Sequence, residues 1–244
     1  MKKLIDFYSN TNQFINDAID RIIVEIHLKK QKDGYKKFML SGCEPGVGTT
    51  TLAISIAISM ANAGWKTILI DGDLRKISRY KRLNQEVEIG LSDFLLGECL
   101  YHQAVYDTNY KNLFYIPSGG RAVNPISLLC SSNMDELMDQ LYKEYDYIIL
   151  DMPSITTSVD PNVMANKMDG IILVSEYAKT ERRSVRESRD VLYKSGGNII
   201  GIILNKIDTS EFGHIMKNFD YYKNQRYVSK RTKSKAKLVS KINK

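Results

Sequence analysis

The chain has 244 residues, of which 43% are hydrophobic, so it can bury one sizeable α/β core in preference to two small ones. Its net charge of +7 would suggest nucleic acid or an acidic surface as partner, but residues 217–244 alone carry +9 and residues 1–216 carry −2. Composition therefore argues against a nucleic-acid-binding domain, and the scattered Cys43, Cys99, Cys130, His27, His102 and His214 argue against a disulfide framework or a zinc site.

No run of 18 apolar residues occurs, and MKKLIDFYSN lacks the apolar stretch of a signal peptide; a cytoplasmic chain is expected. From Asn12 to Lys30, Phe14, Ala18, Ile22 and Ile26 recur at helical spacing, which predicts an amphipathic entry helix with a docking role in residues 1–34. KFMLS (37–41) then reads as a strand, followed by a glycine-rich turn and by the helix LAISIAISMANAG, which Gly64 closes. Further apolar runs at 67–71, 113–117, 147–151, 170–175 and 199–205 read as buried parallel strands separated by helical or polar segments. The pattern predicts a three-layer α/β P-loop fold over residues 35–216, with a mostly parallel central sheet and helices on both faces. Ligands of such sheets gather at the strands' carboxyl ends, where Asp71, Asp151 and Asn205 fall. Residues 217–244 are too charged and too poor in large apolar groups to pack, and are expected to be disordered.

GCEPGVGTTT, Gly42 to Thr51, has the layout of a loop whose backbone amides turn inward around phosphates ahead of a helix N-terminus. Pro45, Gly46, Val47, Gly48, Thr49, Thr50 and Thr51 are the expected nucleotide contacts, with Thr50 at the magnesium position. The lysine that normally reaches the β and γ phosphates is absent, and Thr49 holds its place. Loss of that contact is worth about 1.5–3 kcal/mol, or roughly ten- to a hundredfold in affinity. In DGDLRK, Asp71 and Asp73 stand two apart at a strand end, suited to divide metal binding from proton acceptance, with Arg75 near enough to stabilise the metal-site carboxylates. Asp151, which ends YIILD, occupies the usual place of an acid that holds magnesium. An ordinary packing turn at the glycines, a solvated turn at DGDLRK and a helix cap at Asp151 are the competing structural readings.

These residues resemble the bacterial tyrosine kinases of the CpsD/CapB type, relatives of the MinD and ParA ATPases. The similarity spans roughly Gly42 to Asp208 and rests on PGVGTT, ILIDGDLRK, GLSDFLLGE, NLFYIPSGGRAVNPISLL and YDYIILDMPS. It implies ATP with magnesium, Asn205 beside the adenine, and autophosphorylation on a C-terminal tyrosine cluster, here Tyr221, Tyr222 and Tyr227. It also implies a transmembrane chain-length regulator of capsule or exopolysaccharide synthesis as activator, and thus a place at the inner face of the plasma membrane. The basic tail could itself lie on anionic lipid. Departures are Thr49 for the lysine, Glu44 where MinD and ParA relatives place their signature lysine, and Ser154 for the second proline of D-x-P-P. The family's oligomerising E-x-x-R-x-x-R motif would align with Asp17, Asp20 and Ile23, which lack both arginines and put a homo-oligomer in question. A pseudokinase or non-enzymatic adaptor is one alternative. A MinD/ParA-like positioning ATPase is another, and the N-K-x-D pattern at Asn205, Lys206 and Asp208 raises GTP as a further one.

Overall fold

A computed structural model describes residues 4–9, 12–75, 89–120 and 122–207. Tyr221, Tyr222, Tyr227, Asp208 and the basic tail lie outside the described residues. The chain divides into a compact unit Met1–Asn205 and a second unit Lys206–Lys244.

In chain order the first unit runs β1 (Leu4–Ile5), α1 (Gln13–Asp33), β2 (Lys37–Gly42), α2 (Thr49–Asn62), β3 (Thr67–Asp71), α3 (Leu91–Leu95), α4 (Tyr101–Ala104), β4 (Tyr106–Thr108), β5 (Leu113–Ile116), α5 (Pro125–Leu129), α6 (Ser132–Glu144), β6 (Tyr147–Met152), α7 (Asp160–Met164), β7 (Gly170–Glu176), α8 (Arg182–Lys194) and β8 (Ile199–Asn205). Eight strands form one sheet in the order β1-β4-β5-β3-β6-β2-β7-β8. Every pairing is parallel except β4 with β5. The six apolar runs of the sequence are six of these strands. The short β1 and β4 extend the sheet beyond β5, and neither has an apolar run to announce it.

Alternation along the strands divides the core in two. Phe38, Leu40, Leu69, Tyr147, Ile149, Ile172 and Val174 pack with α1 and α2 on one face. Met39, Ile68, Ile70, Ile148, Leu150, Ile171 and Leu173 meet α3, α6 and α8 on the other. Helices thus cover both faces, which is why the central strands read as unbroken apolar runs. The predicted end of α2 also holds: Ala63 caps it and Gly64 follows at φ 92°, the left-handed conformation that suits glycine after a helix.

The entry helix is present, with Asn12 capping it by accepting a hydrogen bond from the Phe14 amide, but its buried face is not the expected one. Ile19, Ile23 and Ile26 are buried, whereas Phe14 is exposed and Ala18 and Ile22 are only half-buried. A helix turns about 100° per residue, so the i, i+4, i+8, i+12 stripe of Phe14 to Ile26 drifts through about 120°. Ile19, Ile23 and Ile26 stay within about 60°, narrow enough to sit against α2. Asp20 accepts a hydrogen bond from Ser59 of α2 at 2.6 Å, so Asp20 and Ile23, which align with the family's assembly motif, serve packing inside the unit. At the foot of the sheet, α1 is pinned by His27, which stacks on Trp65 with centroids 4.5 Å apart. His27 Nδ1 also lies 2.6 Å from the Tyr147 hydroxyl. Helix α1 lies within the first compact unit. No helix among the described residues is long and apolar enough to cross a membrane.

Candidate nucleotide site

The loop between β2 and α2 leaves the centre of the sheet and turns back at Gly46 and Gly48, with φ of 78° and 92°. An L-residue is strained at both positions, so glycine is what lets the chain curl tightly into the helix. The approach at Gly42 is equally close: a Cβ there would lie 2.8 Å from the Glu44 carbonyl oxygen and 2.9 Å from Thr49 Oγ1. The start of α2 therefore points into an open, glycine-lined turn, the arrangement that binds anions through unpaired amides and the helix dipole. Val47 contributes backbone only, because its side chain is buried in the core. Its carbonyl accepts a hydrogen bond from Asn205 Nδ2 at 2.8 Å, so the residue expected beside the adenine also ties the end of β8 to the loop.

Asp71 ends β3, and its register partner Asp151 lies one residue before the end of the adjacent β6. Both are buried, as is Asp73. The chain after β3 is held to β6 by the Gly72 amide, which donates to the Asp151 carbonyl at 2.8 Å, and the Asp73 amide donates to Asp71 Oδ1 at 3.1 Å. A cleft of about 230 Å³ opens between this pair of strands and the loop. Glu44, Gly46, Gly48, Thr49, Thr50, Asp73, Asp151 and Ser154 line it, and no lysine or arginine does so among the described residues. Asp73 faces the cleft while Asp71 is not among its walls. The loop after β6 is braced by a short contact between the Ser154 and Thr157 hydroxyls at 2.6 Å, and Ser41 Oγ donates to the Pro153 carbonyl at 2.7 Å.

Arg75, expected near the metal-site carboxylates, is paired with Asp160. Its Nε and a terminal nitrogen donate to the two carboxylate oxygens of Asp160 at 2.8 and 2.7 Å, and Nε also reaches Ser158 Oγ at 3.1 Å. The hydrogen bonds it donates to Asp160 push the guanidinium above its already high range. Asp160 is fully buried at the start of α7, and a buried carboxylate demands a partner of this kind. Arg75 thus acts as a brace between the loop after β3 and the segment after β6. Asp160 is the residue that sequence reasoning missed. The only sequence sign was an acid before proline at a helix start, the D-P of DPNVM.

A parallel sheet, a glycine loop running into a helix N-terminus and carboxylates on the two facing strand ends define a P-loop nucleotide-binding α/β protein. The family described as AAA domain matches residues 35–181. Tyrosine-protein kinase CpsD of Streptococcus pneumoniae serotype 4 is 34% identical over 212 residues, which cover 86% of this chain and 90% of that relative. Among solved structures, the VpsO kinase domain is 32% identical with a TM-score of 0.72, covering 80% of this chain and 96% of its own. The Aquifex aeolicus cell division protein MinD shares the fold, at 22% identity and a TM-score of 0.59 over 73% of this chain and 72% of its own. The chain belongs to the CpsD-type tyrosine-protein kinases, within the wider AAA domain family of P-loop proteins.

Proposed function

We propose that this chain binds ATP with magnesium and acts as a cytoplasmic tyrosine autokinase of capsule or exopolysaccharide synthesis, with phosphoryl transfer weakened by Thr49. The observation that carries the reading is the glycine turn at the start of α2 facing Asp151 and Asp73 across one cleft, with Asp71 beside Asp151 on the neighbouring strand. The names of its relatives support the kinase class.

The residues present suit the metal. A glycine cradle leaves room for phosphate, Thr50 lies in the first turn of α2, and Asp71 with Asp151 supplies hard oxygen donors of the kind magnesium takes. Magnesium bound there supplies charge neutralisation at the phosphate oxygens. Asp73, which faces the cleft, would accept or orient the tyrosine hydroxyl proton. The amides from Gly46 to Thr51 would hold the phosphates, and Asn205 would border the base while fixing the loop at Val47. Thr49 has a hydroxyl on Cβ and cannot span the distance a lysine ammonium covers. Three carboxylates line the cleft, so binding should depend on magnesium more steeply than in a site that also holds a lysine.

Tyr221, Tyr222 and Tyr227 are the proposed phosphoacceptors. A transmembrane chain-length regulator and anionic lipid under the basic residues 217–244 would hold the protein at the inner face of the plasma membrane. Thr49 favours one second reading, a pseudokinase or adaptor that binds nucleotide without transferring phosphate. Incubating the full chain with ATP and magnesium, with and without Thr49→Lys, separates the two by phosphotyrosine detection. Slow labelling that Thr49→Lys accelerates supports the weakened kinase. Labelling only in Thr49→Lys identifies the pseudokinase, and no labelling or nucleotide binding in either overturns both.

A further inference from the structure

Tyr115 carries a buried hydroxyl that the roles assigned so far leave unexplained. Its residue is 2% exposed, and its ring stands edge-on to Phe7 with centroids 5.2 Å apart. The hydroxyl is buried without a hydrogen-bond partner. Such a group costs the fold stability that a phenylalanine, filling the same space, would not.

Its place in the sheet gives the hydroxyl an address. Tyr115 on β5 is the register partner of Leu69 on β3, and Asp71 on β3 is the register partner of Asp151 on β6. Side chains two apart on a strand share a face, so Tyr115, Leu69, Asp71, Ile149 and Asp151 all project toward α2. Tyr115 therefore lies on the face of the aspartate pair, one step toward the strands' amino ends. Burial, together with the negative charges of Asp71 and Asp151, holds the phenol well above its usual range, so it keeps its proton and toward those carboxylates is a donor.

We propose that Tyr115 is a positioning residue for the metal site: its O–H donates, directly or through one buried water, to the inner side of the Asp71–Asp151 pair when nucleotide and magnesium are bound, fixing the carboxylates in their ligating orientation. The proposal rests on the nucleotide-binding reading above. It makes the unsatisfied hydroxyl of the free protein a stability cost retained for ligand binding, which gives stability and affinity opposite signs.

Tyr115→Phe removes the hydroxyl and keeps the ring against Phe7. In the full chain, the ligand-free melting temperature should equal or exceed that of the unsubstituted protein. ATP affinity by calorimetry in magnesium should fall about ten- to a hundredfold, the equivalent of one hydrogen bond to a charged group. ATP affinity measured in EDTA should not change. An unchanged affinity in magnesium, an equal loss with and without the metal, or a lowered melting temperature would overturn the proposal alone. An unsubstituted protein that gains no ATP affinity from magnesium would overturn the nucleotide reading and this inference with it.

Discussion

Replacing Arg75 by methionine keeps most of the side chain's length and removes the guanidinium from Asp160. Asp160 is fully buried, so the change strands its carboxylate without the guanidinium. Breaking a wholly buried pair costs about 3–5 kcal/mol, but the Arg75 side chain is 42% exposed and water screens part of the interaction. A loss of about 1.5–3 kcal/mol is therefore expected, read as a lower urea midpoint with an unchanged slope. Adding Asp160→Asn to Arg75→Met removes the stranded charge and should recover at least half of the loss, because the cost lies in the uncompensated carboxylate and not in the absent arginine. The brace also holds the loop that carries Asp73, so Arg75→Met should weaken ATP binding in magnesium even where the fold is intact. An Arg75→Met protein within 0.5 kcal/mol of the parent, or a double variant no better than the single one, would refute this reasoning.

The packing of α1 makes a second prediction. Ile23→Ala should lower stability by about 2–4 kcal/mol by opening a cavity against α2, whereas Phe14→Ala should cost less than about 0.5 kcal/mol in the same unfolding assay. The phenol of Tyr147 gives a third. Burial and the neighbouring Asp146 charge raise it from the ordinary 10.0 to about 12. The protonated phenol is favoured in the folded state, so its contribution is intact below pH 10 and lost as pH rises toward 12, about 2–3 kcal/mol in all. Tyr147→Phe should lack that part of the alkaline fall in melting temperature, while losing at neutral pH the contact with His27.

Much of the fold was legible because the central strands are buried on both faces, and double burial writes an apolar run that no turn or exposed helix imitates. The phosphate loop was legible for a different reason: closely spaced glycines ahead of a helix have few uses, and here positive φ at Gly46 and Gly48 gives them one. Strand-end aspartates followed from topology, since Asp71 and Asp151 had only to lie on neighbouring strands to meet. The face of α1 was misread because Phe14 and Ile26 fit a four-residue period that, extended over three steps, winds off the contact line. β1 and β4 are two and three residues long and carry no periodicity at all. The Arg75–Asp160 pair spans 85 positions in sequence, and nothing local tells an arginine near two aspartates that its partner is a third, buried one. Tyr115 hid inside an apolar run, where a tyrosine counts as one more large core residue until its hydroxyl is followed.

On the proposed reading, the cleft between the glycine loop and Asp151 holds ATP through magnesium. Calorimetry of the full chain with ATP, in magnesium and in EDTA, tests it most directly when run beside Asp151→Asn. Binding that magnesium strengthens at least tenfold, and that Asp151→Asn reduces to the EDTA level, is the expected result. ATP affinity that is indifferent to magnesium, or that Asp151→Asn leaves unchanged, would contradict the assignment of the site.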